Sequence, residues 1–519
     1  MNLVDSGLYY SGLTHIGGYI GLIWLVCCVL ILIDVGLIWL YYSGNLRHMI
    51  RKMEPSELQF RKHSDPGVWC ACLVPFCLLI SRFMGNLLSD PVNLQMITLS
   101  ATITLSSFTL WYRIKHQEHP KEKRKQLYNT EKIDLMLTLF LMLVDMFISG
   151  LGFGFLVTIL GQVIYIKCLP LLFSSFQRSF TFGEGCIALQ SVIIFIVYTI
   201  TSLYEINHNA TTVIGSFTII AQVLLISEAL LFISPVFPGL KWTNCPTYFY
   251  AASVTTLASI TFPLITWMLH RNPLLWLLTY IINSKYVIFL VLWWTLLVIF
   301  ALVIVFQKFN TSKRATTSER KFFHGLVVMV MTSGIRLDIE FTFLASLVVL
   351  GTFIYLEYIR SFDIRPISML INEAFARFTD EKDQGSLILT NIYLLVGIFL
   401  PLWFTCDLKS ANKLVLLSGV LSVGVGDSAA SFIGSRYGRI KWPRSNNKTI
   451  EGTVSSIIAQ LVVLEFFVLT NLLEYHNLLD LSVWFPILFT SLVEAYTTQV
   501  DNVVLPLIMY ILFSITLQS

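Results

Sequence analysis

Apolar residues in this chain form long, nearly uninterrupted runs that are separated by short polar loops. Many of these runs approach the roughly 20 residues that an α-helix needs to cross the hydrocarbon core of a bilayer. The pattern therefore predicts an all-α fold, a polytopic integral membrane helix bundle with about 13–16 transmembrane segments. The predicted apolar segments are 13–42, 68–86, 94–112, 134–152, 154–175, 186–204, 211–235, 248–269, 286–306, 322–336, 340–358, 386–404, 413–434, 452–474, 480–499 and 503–517.

The composition supports a membrane protein. The chain is 55% hydrophobic and only 13% charged, whereas soluble globular proteins carry about 25% charged residues. Its nine cysteines include no Cys-x-x-Cys pair, so neither a zinc site nor a disulfide framework is predicted. The N-terminus has no basic region and no small-residue cleavage site, so we expect the run at 13–42 to act as an uncleaved anchor.

Basic residues are concentrated in four loops. These loops contain 22 of the 35 lysines and arginines, at 43–66, 113–133, 307–321 and 435–450. The predicted segments place all four loops on one side of the membrane, which the positive-inside rule identifies as cytosolic. The sequon at Asn209 then lies on the opposite side, where glycosylation is possible, whereas the sequon at Asn447 is cytosolic and is expected to be unused. The net charge of +4 has a topological origin, and no nucleic-acid partner is expected.

The distribution of polar residues divides the chain into two regions. Residues 1–305 are predicted to form an N-terminal multi-span membrane region, and residues 306–519 a C-terminal membrane-embedded domain. In the first region only Asp34, Asp145 and Glu228 are carboxylates at membrane depth. Each is either functional or a protonated or internally paired carboxyl, because an unpaired charge is costly in hydrocarbon. In the second region, polar clusters gather at predicted cytosolic helix ends.

The first polar cluster is Gly424-x-Gly426-Asp427, which continues into small residues as far as Ser431. Small residues alone are typical of close helix packing in lipid. A carboxylate within such a seam is costly unless it binds a cation or accepts a proton. Asp427 is therefore a candidate Mg²⁺ ligand, since Mg²⁺ prefers one or two carboxylates together with substrate phosphates.

The second cluster runs from Lys448 to Thr453, between a polar loop and an apolar run. Thr449 or Ile450 is predicted to begin a helix, and the backbone N–H groups of a helix N-terminus bind anions. A lysine beside them suits a phosphate group. The alternative is an ordinary helix cap with a lysine that extends to the membrane interface.

Two acidic residues near the C-terminus form a third cluster. Glu494 and Asp501 are seven residues apart, which on a helix places them on one face, about 10.5 Å apart along the axis. Asp501 is expected at the cytosolic end, level with Asp427, where the two carboxylates would share a metal ion bound to a triphosphate. A solvated helix end is the alternative.

Two further residues remain open between a catalytic role and a structural one. His324 follows Arg320-Lys321 at the entry to a short apolar segment, and Asp383 lies beside Lys382 in an acidic loop. The chain has neither a Walker A motif nor the His-Arg-Asp motif of protein kinases, so any phosphoryl transfer would use neither of those folds.

In their order along the chain, these motifs resemble the polyprenol kinase family, which includes dolichol and phytol kinases and has phosphatidate cytidylyltransferases as wider relatives. The resemblance extends upstream toward the dolichol kinase members and covers roughly residues 310–515. It rests on Lys321-x-x-His324, Glu357-x-x-Arg360, Phe378-x-Asp380-x-Lys382-Asp383-x-Gly385, Gly424-x-Gly426-Asp427-Ser428-x-Ala430-Ser431-x-x-Gly434, Lys448-Thr449-x-Glu451-Gly452-Thr453, Glu494 and Asp501-Asn502.

The resemblance implies transfer of the γ-phosphate of CTP to the terminal hydroxyl of dolichol, which gives dolichyl phosphate for protein glycosylation. It implies CTP as phosphate donor, Mg²⁺ or another divalent cation as cofactor, and dolichol as lipid substrate. The enzyme would be a multi-pass protein of the endoplasmic reticulum membrane with its active site facing the cytosol. No oligomeric state follows from it.

The resemblance also implies roles for individual residues, and it associates the segment from Lys448 to Gln460 with CTP. The metal ligands would be Asp427, Glu494 and Asp501, and the candidate proton acceptors are Asp427, Asp383 and His324. The nucleotide-binding residues would be Gly424, Gly426, Ser428, Ser431, Arg439, Lys448, Thr449, Glu451, Gly452 and Thr453.

Three other functions are compatible with parts of the pattern. A phytol-type kinase would use a shorter isoprenoid alcohol. A phosphatidate cytidylyltransferase-like enzyme would also use CTP but would release pyrophosphate, whereas a kinase releases CDP. A transporter is the most distant alternative, because it should show an inverted repeat and polar groups near the membrane midplane, and neither is visible in the sequence.

Overall fold

The computed structural model describes most of the chain from residue 60 onward. The described residues are 60–61, 64–85, 91–116, 136, 140, 143, 153–204, 212–233, 245–309, 316–379, 382–383, 385–405, 407–443, 448–473 and 480–517. Five residues discussed above, Asp34, Asp145, Asn209, Asp380 and Asn447, lie outside them, as does the predicted anchor segment 13–42.

The described residues confirm the all-α class, since their only β-type pairing is an isolated bridge between Lys441 and Thr449. A 3₁₀ turn, Val68–Cys72, precedes the first helix, and a π-helical segment, Val420–Asp427, precedes α14. The helices are α1 Leu73–Met84, α2 Pro91–His116, α3 Phe153–Ser175, α4 Phe182–Tyr204, α5 Val213–Ile233, α6 Pro246–Leu269, α7 Pro273–Asn283, α8 Lys285–Phe309, α9 Thr317–Leu337, α10 Ile339–Ser361, α11 Ile367–Phe378, α12 Thr390–Phe404, α13 Lys413–Leu416, α14 Ser428–Tyr437, α15 Ile450–Leu469, α16 Leu481–Tyr496 and α17 Asp501–Thr516.

Within the described ranges, seven helices are long and apolar enough to cross a membrane. They are α3, α4, α5, α6, α8, α10 and α15. Shorter apolar helices add to the bundle, namely α1, α7, α12, α16 and α17. The chain is thus a multi-pass membrane protein, while the expected total of about 13–16 segments stays a prediction.

The structure differs from the predicted segments at three places. Asn272 caps α7, a helix that the sequence analysis did not predict, by accepting hydrogen bonds from the backbone N–H groups of Leu274 and Leu275. The amphipathic helix α11 lies in a stretch that was predicted to be a loop. The single segment expected at 413–434 is divided into α13, the π-helical segment and α14, and glycines at 419, 424 and 426 lower the helix propensity there.

The hydrophobic core combines residues from both halves of the sequence. One buried cluster contains Tyr165 and Phe182 from the first half together with Leu400, Val504 and Tyr510 from the second. It joins α1–α4 to α12 and α17, so the N-terminal helices support the helices that carry the C-terminal motifs. The predicted boundary between 305 and 306 stays a prediction.

Two glycines bring the backbones of the C-terminal helices into direct contact. A Cβ at Gly397 of α12 would lie 1.6 Å from the carbonyl oxygen of Asn502, and one at Gly419 would lie 2.3 Å from the carbonyl oxygen of Gly397. Only glycine permits this approach. The first turn of α17, which contains Asp501, is therefore seated directly on α12.

A buried polar joint connects the loop before α1, the start of α4 and the loop before α17. Arg61 forms an ion pair with Glu184, and both side chains are almost completely buried. Glu184 also accepts a hydrogen bond from the backbone N–H of Val500 at 3.0 Å. Gln499 accepts from the Thr181 hydroxyl at 2.6 Å and donates to the carbonyl oxygen of Asp65 at 2.6 Å. The N-terminal half thus holds the residues that directly precede Asp501.

Replacing Arg61 with methionine is expected to lower the free energy of unfolding by about 3 kcal/mol, because it leaves Glu184 buried without its counter-charge. The double variant Arg61→Met/Glu184→Gln should recover part of this loss, since it removes both charges. Thermal unfolding of the detergent-solubilised protein measures both changes. Arg365→Met, which removes an exposed ion pair with Asp363, is the matched control and should have little effect.

Candidate functional site

Five helix ends and the loop before α12 meet at one end of the bundle and bring together six charged side chains. These ends are the starts of α9, α15 and α17, the C-terminus of α16 and the end of the π-helical segment. All five ends correspond to predicted cytosolic positions. The charged residues are Lys321, Lys382, Asp427, Lys448, Glu494 and Asp501.

Lys448 lies at the centre of this arrangement, just before α15. Its Nζ is 2.9 Å from Oε1 of Glu494 and 3.7 Å from Oδ2 of Asp501. Burial alone would lower the pKa of Lys448, but the carboxylates of Asp501, Glu494 and Asp427 outweigh burial and raise this pKa well above its usual range. The three carboxylates therefore favour the ammonium form of Lys448.

Asp427 lies on the other side of Lys448 and is buried at the end of the π-helical segment. Its carboxylate forms an ion pair with Lys321 of α9. Nε2 of His324, one turn further along α9, is 3.9 Å from Oδ2 of Asp427. The motif Lys321-x-x-His324 thus directs both of its side chains at one carboxylate.

Lys382 contributes a third ammonium group from the loop before α12. Its Nζ is 2.8 Å from Oδ1 of Asp501 and 2.9 Å from the carbonyl oxygen of Gln499. Its neighbour Asp383 has a different role. The Asp383 carboxylate accepts hydrogen bonds from the Leu389 backbone N–H at 3.1 Å and from the Thr390 hydroxyl at 2.6 Å.

Asp383 therefore holds the residue that precedes α12 and the first residue of that helix. Glu357 and Arg360 of α10 hold the same loop, since Glu357 accepts from the Ile388 backbone N–H at 2.7 Å and Arg360 donates to the carbonyl oxygen of Ser386 at 2.6 Å.

The loop between α14 and α15 returns Lys448 to the charged cluster. The backbone N–H of Trp442 donates to the carbonyl oxygen of Lys448 at 3.1 Å, and that of Ile450 donates to the carbonyl oxygen of Ile440 at 2.9 Å. Glu451 accepts from the backbone N–H groups of Arg439 and Ile440, at 3.0 and 3.1 Å. Glu451 thus stabilises the loop conformation, and the Arg439 side chain is exposed.

Thr449 begins α15, as predicted, and its hydroxyl accepts a hydrogen bond from the Gly452 backbone N–H at 3.2 Å. The Thr453 hydroxyl accepts from Nε1 of Trp442 at 3.0 Å. A Cβ at Gly452 would lie 3.0 Å from the carbonyl oxygen of Ala430. These residues pack α14 closely against α15 and fix the position of Lys448.

The glycine motif before Asp427 also permits close packing. A Cβ at Gly424 would lie 2.2 Å from a methyl group of Val328, and one at Gly426 would lie 2.7 Å from Nε2 of Gln460. The Ser428 hydroxyl contacts the carbonyl oxygen of Val423 at 3.5 Å, and Ser431 is half-buried on α14. The small residues therefore place Asp427 between α9 and α15.

Sequence reasoning assigned no site role to Lys321 and left Lys382 open between a solvated loop and a nucleotide contact, although both lie within the quoted motifs. Both are 100 or more residues distant from their acidic partners in the sequence. The i, i+3 spacing of Lys321 and His324 was the only local signal, because it places both on one helix face.

The carboxylates of the charged cluster are candidate ligands of a divalent cation. In the part of the chain that the structure covers, no three His, Cys, Asp or Glu residues lie close enough to form a ligand set. Asp427 and Asp501 approach Lys448 from different helices. Such a pair fits Mg²⁺, which takes few protein ligands when substrate phosphates supply the others.

Comparison with known proteins identifies the family. The sequence profile of the family described as dolichol kinase matches residues 154–464, more than half of the chain. The chain belongs to the dolichol kinase family. A Mus musculus dolichol kinase is 35% identical over 402 residues, which cover 70% of this chain and 73% of the mouse protein. A Homo sapiens dolichol kinase is 34% identical over 372 residues, 67% of this chain and 68% of the human protein.

More distant dolichol kinases are also similar. The Schizosaccharomyces pombe enzyme is 30% identical over 361 residues, 65% of this chain and 69% of the yeast protein. No solved structure matches the chain. The dolichol kinase profile begins in α3 and ends in α15, so it includes Lys321, Asp427 and Lys448.

Proposed function

We propose that this chain is a CTP-dependent dolichol kinase of the endoplasmic reticulum membrane whose active site faces the cytosol. The observation that carries the proposal is the convergence of three lysines and three carboxylates at one end of a membrane helix bundle, in a member of the dolichol kinase family. The proposal of CTP as donor rests on the polyprenol kinase motifs, and the proposed orientation on the basic loops.

The three lysines are suited to bind a triphosphate. Lys448, Lys321 and Lys382 approach from α15, α9 and the loop before α12, and each is held by a carboxylate. Phosphoryl transfer has a loose transition state, so positioning and charge neutralisation dominate its catalysis. In our proposal the ammonium groups turn from their carboxylates to the phosphate oxygens of CTP.

Asp427 and Asp501 are the residues that would hold Mg²⁺. Glu494, which pairs with Lys448, is a further candidate ligand. A bound Mg²⁺ would neutralise charge on the triphosphate. The chain's own contribution is to keep two carboxylates near the phosphate-binding lysines without a complete protein cage.

His324 is our preferred acceptor of the alcohol proton. Its Nδ1 is 3.3 Å from the carbonyl oxygen of Arg320, which can only accept a hydrogen bond. Nδ1 therefore carries the hydrogen in the neutral ring, and Nε2 on the Asp427 side is left as a proton acceptor. The neutral form is favoured because the ring is buried beside the ammonium of Lys321.

The test uses purified full-length protein with dolichol, Mg²⁺ and CTP labelled on either the α- or the γ-phosphate. A kinase transfers the γ-label to the lipid and releases CDP. Transfer of the α-label to phosphatidate, offered in a parallel reaction because a cytidylyltransferase needs a lipid phosphate as nucleophile, with release of pyrophosphate would instead identify a cytidylyltransferase. No labelled lipid from either nucleotide, with folded protein, would contradict both. Phytol in place of dolichol distinguishes the phytol-type kinase.

A further inference from the structure

A neutral polar cluster lies buried inside the bundle, one helical turn from Glu494. It consists of Gln460 and Ser456 of α15 and Ser491 of α16, and we call it the Gln460 cluster. Nε2 of Gln460 is 3.1 Å from Oγ of Ser456 and 3.2 Å from Oγ of Ser491. All three residues are at most 2% exposed. Buried amides and hydroxyls in a membrane helix are costly unless they are satisfied, so such a cluster is expected to have a function.

The hydrogen bonds of the Gln460 cluster are incomplete. Oε1 of Gln460 is buried and has no partner among the residues that the structure describes. Both serine hydroxyls can donate or accept, so one end of the amide lacks a partner whichever way the amide is oriented. The hydroxyl of Thr490, the neighbour of Ser491, is likewise buried without a partner in the described ranges. The cluster therefore has hydrogen-bonding capacity for one more polar group.

The Gln460 cluster directly adjoins the charged site. A Cβ at Gly426 would lie 2.7 Å from Nε2 of Gln460 and 2.8 Å from Oγ of Ser456, and the next residue is Asp427. Unlike the site around Lys448, the cluster contains no charge. Apolar residues such as Ile458, Val462 and Leu488 are exposed on the outer surfaces of α15 and α16, as expected for helices that face lipid tails.

We propose that the Gln460 cluster binds the terminal hydroxyl of the lipid alcohol and holds it beside Asp427. This inference rests on the proposed kinase function. A hydroxyl donates one hydrogen bond and accepts others, so it complements either end of the amide. A phosphate group would require cations, which the neighbouring lysines supply and this cluster lacks. The two substrates would thus enter separate subsites, the charged nucleotide at the lysines and the neutral alcohol at Gln460, so the part of the segment from Lys448 to Gln460 that binds CTP would end before Gln460.

The test variant is Gln460→Met, which keeps the shape of the side chain but removes both polar ends. In the absence of nucleotide, the wild type is expected to bind dolichol about tenfold more tightly than the hydrocarbon that lacks the hydroxyl, the equivalent of one hydrogen bond. The variant should lose this preference. In the kinase assay its KM for dolichol should rise about tenfold while its KM for CTP stays within about twofold.

Gln222→Met is the matched control. Gln222 is a buried amide of α5 that also donates to a serine, Ser202, at 3.2 Å, so its loss should leave both KM values and the alcohol preference unchanged. The proposal is overturned if Gln460→Met raises the KM for CTP as much as that for dolichol, or if it retains the alcohol preference. Binding of dolichol without nucleotide does not depend on phosphoryl transfer. Failure of the kinase proposal would therefore be seen separately, because the wild type would then produce no labelled lipid.

Discussion

Replacing Asp427 with asparagine is expected to lower kcat by about 10³-fold, because asparagine keeps the volume of the side chain but removes its charge. Asp427 is the buried carboxylate to which Lys321 and His324 both point. Its loss removes a proposed Mg²⁺ ligand and leaves the Lys321 ammonium without its partner. The concentration of Mg²⁺ that gives half-maximal activity should therefore rise as well. Steady-state rates over a range of Mg²⁺ concentrations measure both effects.

Asp363→Asn is the control for Asp427→Asn, because Asp363 is an exposed aspartate whose ion pair with Arg365 lies at the surface. Its activity should equal that of the wild type. If Asp427→Asn retained more than about a tenth of wild-type kcat and an unchanged Mg²⁺ requirement, the assignment of Asp427 to the metal and transfer site would be wrong.

Replacing Lys448 with alanine is expected to lower kcat/KM for CTP by about 10²–10³-fold. The variant removes the ammonium between Glu494 and Asp501 and leaves two carboxylates that repel a triphosphate. Lys448→Arg should retain more activity, because it keeps the charge while changing its geometry. Initial rates at varied CTP and saturating dolichol give the required comparison.

Two controls separate the binding role of Lys448 from a folding role. Lys448→Ala in a Glu494→Gln background removes the buried carboxylate that would otherwise lack a partner, so folding should be preserved while activity stays low. Lys409→Ala removes an exposed ammonium that pairs with Glu340 outside the charged cluster and should leave activity unchanged. If the double variant recovered activity to the same extent as stability, Lys448 would have a structural role alone.

The raised pKa of Lys448 also determines its effect on pH dependence. Since its pKa lies well above the usual range, the ammonium does not lose its proton between about pH 7 and 9. No decrease in rate from this group is expected in that interval. If the rate of the wild type decreased in this interval and that of Lys448→Arg did not, the charge environment described above for Lys448 would be wrong.

The roles of several motif residues could be predicted only in part. The sequence predicts that Thr449 or Ile450 begins a helix, and the structure confirms a helix from Ile450 with a cap formed by Thr449. It also named Asp383 as a candidate proton acceptor, which stays a prediction, and the structure shows that this carboxylate holds Leu389 and Thr390 at the start of α12. A carboxylate that holds the start of a helix and a carboxylate that binds a substrate can occur in loops of the same composition. They differ only in their neighbours in the folded protein.

The sequence by itself determined the membrane class, the helical structure and the helix end to which each motif belongs. Hydrocarbon offers no hydrogen-bond partners, so apolar runs must form helices and charged residues must collect at the helix ends. Only the tertiary structure decided which charges meet. Lys448 pairs with Glu494 across 46 residues and Lys321 with Asp427 across 106. These pairings depend on how the helices pack, through contacts such as that of Gly397 with Asn502, and hydropathy and local spacing contain no information about which helix lies beside which.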